Sequence, residues 1–113
     1  MTLITNSVPV AELKHMAAAG FGNMVKAVVD VERQVLAVDA ELHADLEAQL
    51  LQEGSRQSNL WGINLYPDAS GDEWVEFDSM INLRPSQGNH SRGVDDGGLR
   101  AKILVVVGKL VTR

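Results

Sequence analysis

The chain has 113 residues, 45% of them apolar and 22% charged, with a net charge of −5 at neutral pH. That is room for one domain with its own core, in a balance too ordinary for a disordered chain. With no cysteine, disulfide frameworks, thiolate zinc sites, iron–sulfur clusters and cysteine nucleophiles are excluded.

Thr2 to Thr5 suits a short first strand. Ser7 and Pro9 mark a helix start, Val10, Leu13, Met16 and Ala17 recur at helical spacing, and Gly20 suits the stop. From Met24 to Val31 the apolar residues Val25, Ala27, Val29 and Val31 alternate with Lys26, Asp30 and Glu32, which predicts a strand. Val35 to Val38 resumes the apolar pattern and pairs with it as a hairpin, without the usual Asn-Gly or Asp-Gly turn. Asp39 to Glu53 reads as a helix, with Leu42, Leu46 and Leu50 on one stripe, Asp39 as cap and Gly54 as stop.

A second hairpin is predicted from Leu60 to Tyr66 and Trp74 to Phe77, joined by Pro67-Asp68-Ala69-Ser70-Gly71-Asp72. Met80 to Leu83 continues it or adds a strand. Pro85 to Gly98 contains four glycines and few apolar groups, and so reads as a long loop. Leu99 to Val111 reads as a helix despite Val105-Val106-Val107, whose branched side chains also suit a strand. The expected architecture is a single α+β domain spanning residues 1–113. It has a mainly antiparallel sheet of four to six strands built from two hairpins, with three helices packed on it.

The segments Ala40-Glu41-Leu42-His43-Ala44-Asp45, Gly54-Ser55-Arg56-Gln57, Leu60-Trp61-Gly62-Ile63-Asn64-Leu65-Tyr66-Pro67 and Glu76-Phe77-Asp78-Ser79-Met80-Ile81-Asn82-Leu83-Arg84-Pro85-Ser86-Gln87-Gly88-Asn89 together resemble an uncharacterised family of small prokaryotic proteins, classed only as a domain of unknown function. The resemblance spans most of the chain and implies a prokaryotic origin. It brings no activity, substrate or catalytic residue.

Charge is unevenly spread. Residues 1–80 carry four basic groups against thirteen acidic ones, and residues 81–113 carry six against two. Within the basic third, Arg84, Ser86, Gln87, Asn89, His90 and Arg92 crowd into nine residues. Guanidinium forks match carboxylate or phosphate, and the amides and hydroxyls add neutral donors, so this loop is the candidate anion site. The plainer reading is a surface loop whose polar groups satisfy its own backbone. It is neither a Walker A loop nor a dinucleotide fingerprint.

Glu41, His43 and Asp45 form a second cluster, but helical positions two apart do not share a face, so a metal site is not expected there. Asp78 and Glu76 share strand parity and form a third, able to bind a cation or to hold Arg84 or Arg92 in place. Trp61, Tyr66 and Trp74 read as core or cross-strand partners, and His15 as a helix-surface residue. No Gly-x-Ser-x-Gly elbow supports serine hydrolysis.

The sequence thus does not state a function. The favoured reading is a small binding or regulatory module that contacts an anionic small molecule or a partner protein through residues 84–92. Glu41, His43 and Asp78 stand as supporting residues, and no cofactor or metal is expected. The alternative is a small hydrolase or transferase using His43 or His90 with Asp78. A third reading is a structural homo-oligomer without a small-molecule site. Homo-oligomers are expected in any case, because Leu99, Ile103 and Leu110 lie on one side of the last helix and Leu104, Val107 and Val111 on another. Overall acidity makes nucleic acid an unlikely partner. With no apolar run near the ~20 residues of a membrane helix, and no signal-peptide pattern, a cytoplasmic location without membrane contact is expected.

Overall fold

The structure, a computed structural model, describes residues 1–113. Ten elements follow one another: β1 (Thr2–Ile4), β2 (Val8–Pro9), α1 (Val10–Ala19), β3 (Val25–Asp30), β4 (Val35–Val38), α2 (His43–Gln52), β5 (Leu60–Leu65), β6 (Val75–Glu76), α3 (Gly97–Leu110) and β7 (Val111–Thr112). Five strands form an antiparallel sheet in the order β1-β4-β3-β5-β6, so the two expected hairpins lie side by side. A small second sheet pairs β2 with β7 in parallel, Val8 opposite Val111, and clasps the two ends of the chain together. No helix is long and apolar enough to cross a membrane.

Strand alternation divides the interior into two layers. Val25, Ala27 and Val29 of β3, Leu36 and Val38 of β4, and Trp61, Ile63 and Leu65 of β5 face one way. With Leu13 and Ala17 of α1, Ile103, Val106, Val107 and Leu110 of α3, and Ile4, Val75, Val94 and Val111, they make a core of 18 buried residues. On the other face Val28, Val35, Ala37 and Leu60 meet Leu46 and Leu50 of α2 in a cluster of six. Each aliphatic side chain removed from water in this way contributes about 1.5–3 kcal/mol. Burial of Val106 and Val107 in the larger cluster explains why Val105-Val106-Val107 stays helical, since it outweighs a propensity difference of a few tenths of a kcal/mol per residue.

Several boundaries differ from the sequence expectation. The second helix begins at His43, not Asp39, because Asp39 sits at φ 72°, a left-handed conformation outside any helix. Leu42 takes the N-cap position and offers no side-chain cap. Likewise Ser7 caps nothing; Val8–Pro9 is extended and α1 starts at Val10. Met80–Asn82 is a 3-10 turn, not a strand, with Ser79 Oγ accepting from the Ile81 amide. The β3–β4 hairpin turns without Asn-Gly by placing Gln34 at φ 58°. The buried Asp30 carboxylate accepts from the Glu32 and Arg33 amides there, and from Ser55 Oγ at 2.6 Å.

Candidate functional site

The sheet loses its regular ladder along β5. The two-residue β6 covers only Asn64 and Leu65, which leaves the Gly62 amide and carbonyl without a strand neighbour. Asn82 takes that place with its side chain. Its Oδ1 accepts from the Gly62 amide at 2.8 Å and its Nδ2 donates to the Gly62 carbonyl at 2.9 Å, as a neighbouring strand would. The approach depends on the missing side chain at position 62, where a Cβ would lie 2.5 Å from Ser79 Cβ. Asn82 Nδ2 also donates to the Arg92 carbonyl, as does the Ser79 amide. The backbone of Arg92 is thereby fixed against the 79–82 turn, and its Nε donates to Asp78 Oδ1 at 2.8 Å.

Between this turn and the start of α2 lies a cleft of about 410 Å³. Lys26, Asn64 and Glu76 line it from three adjacent strands; the register puts them in one row across the sheet, on the face that carries α2. Leu42, His43 and Ala44 line it from the first turn of α2, and Asp78, Ser79, Met80, Ile81 and Arg92 from the turn and loop. Met24 completes the lining.

His43 is buried, 7% exposed, and its Nε2 donates to the Ile63 carbonyl at 2.8 Å. A carbonyl can only accept, so this bond fixes the proton on Nε2 and leaves Nδ1 as a free acceptor. Burial holds the imidazole below its ordinary pKa, partly opposed by the same carbonyl bond. Asn64 is 5% exposed; its Nδ2 donates to Glu76 Oε1 at 2.8 Å and to the Asp78 carbonyl at 3.3 Å, while its Oδ1 has no partner. Tyr66 donates its hydroxyl to Glu76 Oε1, and burial together with that carboxylate raises the phenol's pKa. The first-turn amides of His43 and Ala44 find no acceptor in the protein. Nor is Lys26 ion-paired, since the salt bridges are Lys14–Asp68, Arg84–Glu47 and Arg92–Asp78. Its ammonium lies 5.4 Å from the Phe21 ring centre.

The 84–92 loop is largely committed elsewhere. Arg84 is 8% exposed and packs its guanidinium 4.5 Å from the Trp61 ring centre. It donates to the carbonyls of Ile81, Gln57 and Leu60, with Glu47 at 3.6 Å. Burial lowers its pKa and Glu47 opposes that shift. Gln87 bonds Arg84 and the Ser58 carbonyl. Asn89 is buried, donates to the carbonyls of Asn82, Ser91 and Gly93, and accepts from the Asp95 amide. Asp95 in turn accepts from the His90 amide and the Ser91 hydroxyl, bonds that lower its pKa. Ser86 and His90 are exposed and lie outside the cleft. Glu41 lines a neighbouring hollow of about 220 Å³ that shares Met24 and Lys26 with the cleft.

Of the residues singled out in the sequence, the structure therefore brings His43, Glu76, Asp78 and Arg92 together. It leaves Arg84, Ser86, Gln87, Asn89, His90 and Glu41 apart from them. Lys26 and Asn64 escaped notice, although an asparagine inside the apolar run Leu60–Leu65 was a visible signal, because a buried amide needs partners. No group of three or more His, Asp or Glu side chains is arranged to hold a metal ion.

No curated protein and no solved structure matches the chain. The family model described as a protein of unknown function (DUF5674) matches residues 2–110, nearly the whole length. On that match, the chain belongs to the DUF5674 family of proteins of unknown function.

Proposed function

We propose that this protein is a small-molecule binding module whose ligand carries an anionic group and occupies the cleft between the sheet and the first turn of α2. One observation carries this reading: a cleft of ligand size holds hydrogen-bonding groups that the protein itself leaves unused. Asn64 Oδ1 is buried without a partner, and the amides of His43 and Ala44 and the ammonium of Lys26 have none either. Buried polar groups in folded proteins are satisfied in the great majority, and the side-chain amides of Asn82 and Asn89 nearby follow that rule, while Glu47 Oε2 and Trp61 Nε1 beside Arg84 are without a hydrogen-bond partner. Free helix-start amides beside an unpaired lysine favour negative charge. Of the anion-binding loop read in the sequence, Arg92 alone belongs to this site.

One feature favours a catalytic version, in which the protein is a small hydrolase or transferase. A neutral His43 with its tautomer fixed and Nδ1 open is equipped to accept a proton. The prokaryotic, cytoplasmic setting and the homo-oligomeric state belong to this proposal too; exposed Leu104 and Val105 on α3 support self-association.

The test is a thermal-shift and NMR titration series with phosphate and carboxylates on the wild type and Lys26→Met. Anions should raise Tm and perturb the amides of His43 and Ala44, and Lys26→Met should weaken both effects. If no anion perturbs those amides, the cleft is not an anion site.

A further inference from the structure

Resting on the proposed cleft, we infer that its ligand is a zwitterion of the amino-acid class: a carboxylate, a primary ammonium and an apolar side chain. The charged groups lining the cleft are Lys26, Arg92, Glu76 and Asp78, two of each sign, with His43 neutral. Arg92 and Asp78 neutralise each other at 2.8 Å. Lys26 and Glu76 do not pair with any opposite charge. Glu76 receives only neutral donors, the Asn64 amide and the Tyr66 hydroxyl. An unpaired cation and an unpaired anion thus face one cleft.

Their placement fits a ligand between them. Lys26, Asn64 and Glu76 are cross-strand neighbours on β3, β5 and β6. At about 4.8 Å per strand their outer backbones stand about 10 Å apart. Lys26 and the free amides of His43 and Ala44 form a carboxylate-binding end. Glu76 forms an ammonium-binding end. Asn64 stands buried in the row between them, its Nδ2 committed to Glu76 Oε1 and the Asp78 carbonyl. A simple carboxylate leaves Glu76 without a cation, and a simple amine leaves Lys26 and the amides without an anion. Only a molecule with both charges completes the set. Met24, Leu42, Met80 and Ile81 supply the remaining surface. Leu42 and Met80 are 56% and 63% exposed, an apolar rim suited to an aliphatic or thioether side chain.

The experiment titrates the wild-type protein with each of the twenty amino acids by NMR. It then compares leucine with 4-methylpentanoate, which lacks the ammonium, and with 3-methylbutylamine, which lacks the carboxylate. Apolar amino acids should bind at the cleft, and each truncated analogue should bind about tenfold or more weakly, the effect of losing one charged hydrogen-bonding group. Glu76→Gln should lower leucine affinity about tenfold and leave 4-methylpentanoate unchanged, whereas Lys26→Met should weaken both. Should 4-methylpentanoate bind as tightly as the best amino acid, or should other anions bind while no amino acid does, the zwitterion is wrong and the anion cleft stands. Should no anion of any kind bind there, both readings fail. The wild-type comparison needs no variant to fold.

Discussion

Replacing Arg84 by alanine tests whether the loop arginine nearest the sheet is scaffold or ligand site. The guanidinium is 8% exposed, packs on Trp61 and ties three carbonyls, those of Gln57 and Leu60 at the start of β5 and that of Ile81 in the 80–82 turn. Its removal orphans the three acceptors, at about 1 kcal/mol each. It also removes the counter-charge of Glu47, whose side chain is 15% exposed and whose Oε2 has no hydrogen-bond partner. Breaking a buried pair by taking one member costs about 3–5 kcal/mol in total, so about 4 kcal/mol is expected. Against a domain stability of about 5–15 kcal/mol and about 4–8 °C per kcal/mol, Tm should fall by about 20 °C. Arg92→Ala is the control. Its pair with Asp78 is 56% and 44% exposed, and such pairs are worth about 0–1 kcal/mol. Urea denaturation of both variants gives the comparison. Equal, small losses for the two would refute the structural role of Arg84 and restore residues 84–92 as the place to look for an anion.

Three further outcomes follow from individual contacts. His43 has a depressed pKa in the fold, so on acidification the unfolded chain takes up this proton first; stability should decline as pH drops below about 6.5, and His43→Gln should flatten that part of a urea-midpoint-against-pH curve, an unchanged slope telling against the assignment. Gly62→Ala sets a Cβ 2.5 Å from Ser79 Cβ and should cost about 1–3 kcal/mol by displacing the 79–82 turn, which a denaturation midpoint at the wild-type value would contradict. Asn82→Ala strips the surrogate edge from Gly62 and should cost about 2–4 kcal/mol; amide exchange at Gly62 should accelerate, and continued protection there would show that something else closes the edge.

The parts of the fold legible in the sequence are those governed by periodicity. Val25, Ala27 and Val29 announced β3 and its buried face, and Leu46 and Leu50 announced α2. What stayed hidden was governed by side chains standing in for backbone. Nothing in Asn82 or Asn89 distinguishes an amide that completes a sheet edge or ties a loop from one that faces water, and composition alone made the 84–92 loop look available. The same holds for Arg84, whose commitment depends on two carbonyls distant in sequence, those of Gln57 and Leu60. Parity did find Glu76 and Asp78 on the cleft side, and His43 was noticed. Lys26 was passed over because alternation explained it fully as a solvent-facing strand residue.

The cleft and the buried network have a common origin in the shortness of β6. A full strand opposite Leu60–Leu65 would pair Gly62 and occupy the place where the Asn82 side chain now meets it. With β6 ending at Glu76, the chain closes the edge by a side-chain amide at Asn82, which in turn needs Gly62 bare and Arg92 held by its carbonyl. The polar residues on the far side of that closure, Arg84 and Asn89, donate to carbonyls of the turns and loops packed there. Those on the near side, Lys26, Asn64 and Glu76, project from the sheet face and replace no ladder bond. One turn therefore parts the polar residues that tie loops and edges together, Asn82, Arg84 and Asn89, from the row Lys26, Asn64 and Glu76 that lines the cleft, in a chain where both sets are made of similar residue types.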